Sequence, residues 1–265
     1  MQAPLLPLEP IAHLASNRPI SGAYPKMLVE PEAAYFQLGG LLAEMPDLGS
    51  GPITPEIDQW AKRAVALIEQ TGALADSIQF KIAIGHLHGA LRARNVQVIV
   101  SILRRALAEA ELDVPPESRG AFLIADNAFD AFAAVRKVLR MAKTDVLLVD
   151  PNADARALTD CAVLAPESVT VRLLADKSDH NASLASAAHY WVQHFGRRPL
   201  SVRLATAGTV RDTLIAIDRA TVWALGHSFS KLAKCTHMSL VRIPPEAGAR
   251  MIGAYAAIWD TAEPL

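Results

Sequence analysis

The spacing of apolar residues changes along the chain, and the change separates two predicted architectures. From residue 54 to about residue 116, apolar residues recur every three or four positions, the period of a helix with one buried face. The clearest run is Ile57, Trp60, Ala61, Ala64, Leu67 and Ile68. Thr54 and Pro55 before it are typical of an N-cap and a first helical residue. This pattern predicts helices near 32–44, 55–72, 73–92 and 95–111. Prolines indicate loops over most of the preceding residues.

Short β-branched runs alternate with helical runs in the second half of the chain. Strands are predicted at 145–149, 169–174, 200–204, 213–217 and 221–225, and helices at 129–142, 154–165, 183–195 and 245–259. Strands separated by helices predict parallel pairing, whereas the closely spaced later strands predict antiparallel hairpins. The predicted fold class is therefore α/β, with a mixed sheet. We place a mainly helical N-terminal region at residues 1–125 and an α/β domain at residues 126–265.

Composition narrows the class of protein. Hydrophobic residues make up 51% of the 265 residues and the formal net charge is −1, which favours a large core and excludes a strongly basic surface over the whole chain. The first ten residues lack the pattern of a secretory signal, and no apolar run reaches the length of a membrane span. The two cysteines, Cys161 and Cys235, are typical of thiols in a reducing compartment. We therefore expect a cytoplasmic protein without a membrane span.

Motifs for bound nucleotides and metals are missing from the sequence. It has no GxxxxGK[ST] phosphate loop and no GxGxxG after a strand. His86 and His88 form a His-x-His pair, but on a helix their side chains point about 200° apart and cannot share one ion. We expect neither a cofactor nor a metal.

Three segments in the second half carry a resemblance to a known family. They are the helix from Phe129 to Arg140, the strand at 145–149 with Asp150-Pro151 after it, and the stretch from Arg211 to Ser228. Their order and spacing resemble one half of a phospholipase D-like domain. In that family the third segment holds the His-x-Lys-x4-Asp motif, followed by a strand and a Gly-Ser turn.

The resemblance implies a site in which the reactive residues of the motif are replaced. Arg211 stands at the position of the histidine, Thr213 at that of the lysine, and Asp218 matches the aspartate. Catalytic members use the histidine to attack phosphorus, but a guanidinium stays protonated and can only hold an oxyanion. Catalytic members also join two halves around a two-fold axis, so one half implies a homodimer. We expect a non-catalytic dimerisation or binding module for a phosphate-bearing ligand or nucleic acid. The candidate ligand-binding residues are Arg211, Thr213, Asp218, His227, Ser228 and Lys231.

Two alternative functions remain open, and one basic cluster has two interpretations. A divergent, metal-independent phosphodiesterase or nuclease would use His227 as a substitute nucleophile, with Lys231 as a phosphate clamp. A purely structural subunit of a larger assembly is the other alternative. Independently of function, residues 213–220 could be no more than a strand and a hairpin turn. A basic cluster at Arg136, Lys137, Arg140 and Lys143 fits either a solvated helix surface or a phosphate-binding surface.

Overall fold

A computed structural model gives the fold, and it describes residues 30–265 except 72, 117, 126, 178–180 and 235–237. Residues 1–29 and Cys235 therefore lie outside the described residues. Seven α-helices are assigned in the described part: α1 (Pro31–Ala43), α2 (Pro55–Gln70), α3 (Leu74–Gly85), α4 (Arg92–Asp113), α5 (Ala128–Leu139), α6 (Asn181–His194) and α7 (Pro245–Thr261). The strands are β1 (Phe122–Ala125), β2 (Asp145–Val149), β3 (Thr170–Asp176), β4 (Leu200–Ala205), β5 (Thr213–Ile217), β6 (Thr221–Leu225), β7 (Met238–Arg242) and β8 (Glu263–Pro264). No helix in these described ranges is long and apolar enough to cross a bilayer.

Helices α1 to α4 pack around a core of their own. The Thr54 hydroxyl accepts a hydrogen bond from the Ile57 amide at 3.4 Å, so the predicted N-cap begins α2, and the predicted apolar face of α2 is buried. The prediction of one helix over 73–92 is wrong, because α3 ends at Gly85. His86 caps that end, and its Nδ1 lies 2.7 Å from the carbonyl of Ile82.

The strands form one mixed sheet in the order β1-β7-β6-β5-β2-β3-β4-β8. Strands β2, β3 and β4 pair in parallel, and β2 pairs antiparallel with β5. Strands β5, β6 and β7 pair antiparallel in sequence order, and β7 pairs antiparallel with β1. The α/β class, the mixed sheet and the helical N-terminal region are therefore confirmed.

Both faces of the sheet are covered. One face packs against α5, α6 and the segment after β2, and the other packs against α7. The segment after β2 differs from the helix predicted at 154–165. It forms a π-helical turn (Ala157–Cys161) and a short 3-10 turn (Ala162–Leu164), whose hydrogen-bond spacing differs from that of an α-helix. Both turns bury small alanine side chains.

The helical region joins the sheet through α1 and β1. A Cβ atom on Gly39 would come within 2.2 Å of the Phe122 ring, so only glycine allows this approach. The Tyr35 hydroxyl accepts a hydrogen bond from the Ala121 amide at 3.0 Å. Strand β1 lies on the N-terminal side of the boundary that we placed after residue 125, although it pairs within the sheet. The division at that residue stays a prediction.

Candidate functional site

Several of the predicted site residues lie together at one end of the sheet, where β2 and β6 finish and β5 begins. Val149 pairs with Leu214 and Thr213 pairs with Leu225, so the residues just beyond these pairs are neighbours. We call this end the site end and define it by Asp150, Arg211, Thr213, His227 and Ser228. Arg211 and His227 each lie two residues beyond the Thr213–Leu225 pair on adjacent strands.

A buried carboxylate holds the turn at the site end. Asp150 is fully buried, and its Oδ2 accepts hydrogen bonds from the Ser228 hydroxyl at 2.7 Å and the Phe229 amide at 2.8 Å. Its Oδ1 accepts from the Asn152 amide at 2.9 Å. Burial raises the pKa of Asp150, and the three hydrogen bonds oppose that rise. The Ser228 hydroxyl therefore donates to Asp150, and this hydrogen bond fixes the turn next to His227.

Sequence reasoning did not count Asp150 among the site residues, although a signal was present. An aspartate directly after a buried strand, followed by proline, marks the end of a strand at the edge of the sheet. The sequence does not show which residue contacts Asp150, because Ser228 lies 78 positions further along the chain. Only the pairing of β2, β5 and β6 brings the two residues together.

Arg211 and Thr213 frame the start of β5. Arg211 is exposed, and Thr213 is half-buried at the first position of the strand. Between them, the Asp212 carboxylate accepts a hydrogen bond from the Tyr255 hydroxyl of α7 at 2.6 Å. Burial and the adjacent Asp212 carboxylate raise the pKa of Tyr255. This contact holds the segment that carries Arg211 against α7. The guanidinium of Arg211 remains exposed to solvent.

His227 and Lys231 are both exposed, on and after the turn that follows β6. Lys231 lies in a 3-10 turn (Phe229–Lys234), and its amide donates to the Ser228 carbonyl at 3.0 Å. The described residues make no hydrogen bond or ion pair with the His227 imidazole. A histidine that acts as a base or nucleophile is normally oriented by such a partner.

A cavity of about 800 Å³ opens beside His227 and connects the site end to the helical region. Its walls are the loop between α1 and α2, one side of α4, and His227. The lining is part apolar and part charged: Met45, Pro46, Leu48, Val96, Val100, Asp47, Gln97, Ser101, Arg104 and His227, with Gly49. Sequence reasoning missed Arg104 and the loop, since nothing local links them to His227.

A residue of α4 holds the loop between α1 and α2, which forms one wall of this cavity. The Arg92 side chain donates to the carbonyls of Leu48 at 2.6 Å and Ser50 at 2.8 Å, which holds the loop against the helix. The Ser50 hydroxyl and the Gly49 amide donate to Asp47 and lower its pKa. The Asp47 carboxylate is therefore engaged within its own loop, and the cation on the α4 side of the cavity is Arg104.

Asp218 lies at the other end of β5, away from every other candidate. The five residues of β5 separate Asp218 from Arg211, so the site end does not include Asp218. Its Oδ1 accepts from the amides of Thr144 at 2.8 Å and Asp145 at 3.0 Å, and its Oδ2 from the Lys143 amide at 3.0 Å. The hydrogen bond from the Asp145 amide is the largest cause that lowers the pKa of Asp218, to about 2. These hydrogen bonds hold the Asp218 carboxylate against the start of β2, and its role in ligand binding stays a prediction.

Two groups that could cleave a bond, a metal-ligand cluster and an accessible cysteine, are missing among the residues that the structure describes. No group of three or more His, Cys, Asp or Glu side chains converges within them to hold a metal ion. Cys161 is fully buried, and burial raises the pKa of its thiol, so it does not serve as a nucleophile. The site end therefore combines fixed hydrogen bonds with the exposed guanidinium of Arg211, a group that can hold an anion.

No protein-family model matches the sequence, and the search of curated proteins returns no match. Solved structures with a similar fold include Nuc, a phospholipase D family member from Salmonella typhimurium, at 17% identity and a TM-score of 0.39, covering 50% of this chain and 89% of that one. NucT from Helicobacter pylori aligns at 14% identity and a TM-score of 0.39, over 54% of this chain and 99% of that one. Phosphatidylserine synthase from Haemophilus influenzae aligns at 12% identity and a TM-score of 0.43, over 68% and 49%. Nuc is a member of the phospholipase D family that the sequence resembles, and at these TM-scores the likeness carries nothing about activity.

Proposed function

We propose that the chain is a non-catalytic binding module that takes a phosphate-bearing ligand in the cavity beside His227. The observation that carries this proposal is the lining of the cavity. Arg104 and His227 supply cationic or hydrogen-bonding groups, and Leu48, Val96 and Val100 supply apolar surface. Such a cavity suits a ligand with an anionic group and an apolar body.

The volume of the cavity also favours an organic phosphate over a bare anion. At about 800 Å³ the cavity lies within the range of pockets that bind small organic molecules. A lone phosphate would leave the apolar wall in contact with water, whereas an ester with an aromatic or aliphatic group would cover it.

Binding is favoured over cleavage because the groups at the site end do not suit nucleophilic attack on phosphorus. Arg211 cannot act as a nucleophile, and no described residue orients the imidazole of His227. The hydroxyl of Ser228 donates to Asp150, a carboxylate whose partners are all fixed in the fold. A divergent phosphodiesterase that uses His227 is the competing function, and the same experiment separates the two.

The test uses bis(p-nitrophenyl) phosphate, an anionic diester with two aromatic rings, as the probe. Calorimetry should detect binding to the full chain. Arg104→Gln should weaken it about tenfold, because a charge-assisted hydrogen bond is lost. Arg105→Gln is the matched control, since Arg105 neighbours Arg104 on α4 but pairs with Asp76 on another side. This control should bind the probe like the unchanged protein.

The hydrolysis arm decides between binding and catalysis. We expect no release of p-nitrophenol at high protein concentration, with or without EDTA. Metal-independent release that disappears in His227→Ala would overturn the proposal in favour of the phosphodiesterase. Equal weakening by Arg104→Gln and Arg105→Gln would show that the cavity is not the binding site.

The homodimer implied by the family resemblance remains part of this proposal. Light scattering should give a mass near twice the 28.5 kDa of one chain. A mass of one chain at micromolar concentration would contradict it.

A further inference from the structure

The outward face of α5 carries an aromatic ring and cations on one line. Phe129, Ala133 and Arg136 follow at intervals of four and three residues, and Arg140 at the C-cap continues the line. Residues at these spacings share one side of a helix. All of them are exposed, and Phe129 is 82% exposed. The helix therefore presents a ring at its first turn and guanidinium groups at its last.

Lys137 lies beside this line on α5 and Lys143 lies after the end of the helix, and neither these two nor the two arginines have an anionic partner in the described part of the protein. The side chains of Arg136, Lys137, Arg140 and Lys143, called here the α5 cations, are exposed and make no hydrogen bond or ion pair with any residue the structure describes. The single acidic residue on α5, Asp130, lies in the first turn and accepts a hydrogen bond from the Asn127 side chain at 2.8 Å.

Several exposed cations on other helices pair with a nearby carboxylate, although Arg94 and Arg250 have no such partner among the described residues. Lys62 pairs with Asp58, Lys81 with Glu69, and Arg105 with Asp76. The helix dipole favours cations in the last turn of α5, but it offers no reason for an exposed phenylalanine in the first turn. A ring and unpaired cations on the same line of a helix point to a ligand that supplies both anions and flat apolar surfaces.

We propose that this face of α5 binds single-stranded nucleic acid, with the α5 cations on successive phosphates and Phe129 stacked on a base. The rise of a helix places Phe129 about 10 Å from Arg136, and Arg136 about 6 Å from Arg140, along the axis. An unpaired base offers a free face to the ring, whereas the bases of a duplex already stack on each other. The surface belongs to α5 and not to the cavity, so it goes beyond the function proposed above.

Fluorescence anisotropy with labelled single strands of about 20 nucleotides, one DNA and one RNA, tests the proposal across about 50 to 200 mM salt. With four phosphates neutralised, the logarithm of the binding constant should fall against the logarithm of salt with a slope of about −2.8. Arg136→Gln with Arg140→Gln should reduce the slope to about −1.4, because two contacts are lost. The matched control, Arg94→Gln with Arg250→Gln, removes the same charge from other exposed helix positions and should leave the slope unchanged.

Phe129→Ala separates stacking from charge. We expect binding at least about fivefold weaker at every salt concentration, with the slope of the unchanged protein, because a stacked base is lost and no phosphate contact is. Circular dichroism should show an unchanged fold, since the ring is exposed.

Three results would overturn the proposal. One is equal loss of affinity in the α5 double variant and its matched control, which would indicate attraction to net charge alone. Another is a duplex that binds as tightly as the single strand while Phe129→Ala has no effect. The third is binding to phosphatidylserine vesicles without binding to either strand, which would make the partner a membrane. Arg104→Gln should not alter binding to either strand, so the failure of one proposal is distinguishable from the failure of the other.

Discussion

The hydrogen bond between Ser228 and Asp150 should be one of the strongest side-chain contacts of the fold. The hydroxyl donates to a fully buried carboxylate at 2.7 Å. Hydrogen bonds to charged groups contribute about 1.5 to 3 kcal/mol to the free energy of unfolding. Ser228→Ala should therefore lower that free energy by about 2 kcal/mol, since it leaves the carboxylate with one donor fewer and its burial cost unchanged.

Asp150→Asn should cost a comparable amount for a different reason. An amide presents one acceptor oxygen where the carboxylate presents two, and three donors point at this site. The loss of about one charge-assisted hydrogen bond is partly offset, because a buried charge is removed. We expect a decrease in the free energy of unfolding of about 1 to 3 kcal/mol.

Urea denaturation of the two single variants and the double variant measures the interaction directly. The double variant should be less destabilised than the sum of the single variants by about 1 to 2 kcal/mol. Asp154→Asn is the matched control, because Asp154 accepts a local hydrogen bond from the Arg156 amide at 2.9 Å, and it should cost less than about 1 kcal/mol. Additive effects of the two site variants would refute the reasoning, as would a control variant as unstable as Asp150→Asn.

The remaining predictions concern the hydrogen bonds that Asp218 accepts and the packing of Gly39 against the Phe122 ring. Asp218→Asn keeps the left-handed turn but loses one acceptor oxygen, and it should lower the free energy of unfolding by about 1 kcal/mol. Because the pKa of Asp218 is lowered to about 2, its stabilisation should be present above about pH 4 and lost as the pH falls toward 2, and the variant should lack this loss. Asp150 should affect the pH dependence in the opposite direction. Because its pKa is raised in the folded protein, the free energy of unfolding should increase as the pH falls through this raised pKa toward the pKa of the unfolded chain. Gly39→Ala should cost about 1 to 3 kcal/mol in thermal or urea unfolding, because its Cβ would overlap the Phe122 ring, and an unchanged midpoint would contradict this packing.

Local periodicity was enough to predict the elements that bury a regular face. The apolar run of α2 recurs at helical spacing, and its six predicted core residues are buried. Strands β2, β5 and β6 are short apolar runs bounded by turn residues, and their predicted limits match the structure. The sequence thereby also predicted the change from parallel to antiparallel pairing.

The missed elements depend on partners far away in the chain. Strand β1 has only four residues, and it pairs with β7, more than a hundred positions later. The segment 154–165 is predicted as a helix because alanine and leucine favour helices, and the structure forms helical turns there of other kinds, π-helical at Ala157–Cys161 and 3-10 at Ala162–Leu164.

The candidate site shows the same limit. His227 and Ser228 were found from the family resemblance, whereas their neighbours Arg104 and Asp150 come from other parts of the chain. Asp218 matched a motif letter, and only its hydrogen bonds to the backbone of residues 143–145 reveal its structural role.

Phosphorus-31 NMR of the protein with bis(p-nitrophenyl) phosphate tests the central claim that the cavity beside His227 holds a phosphate-bearing ligand and that the protein does not cleave it. One spectrum reports both events, since binding broadens or shifts the resonance of the diester and cleavage creates the resonance of a monoester. We predict a broadened diester resonance that sharpens in Arg104→Gln, with no monoester after prolonged incubation. A monoester resonance that grows with time and vanishes in His227→Ala would contradict the account.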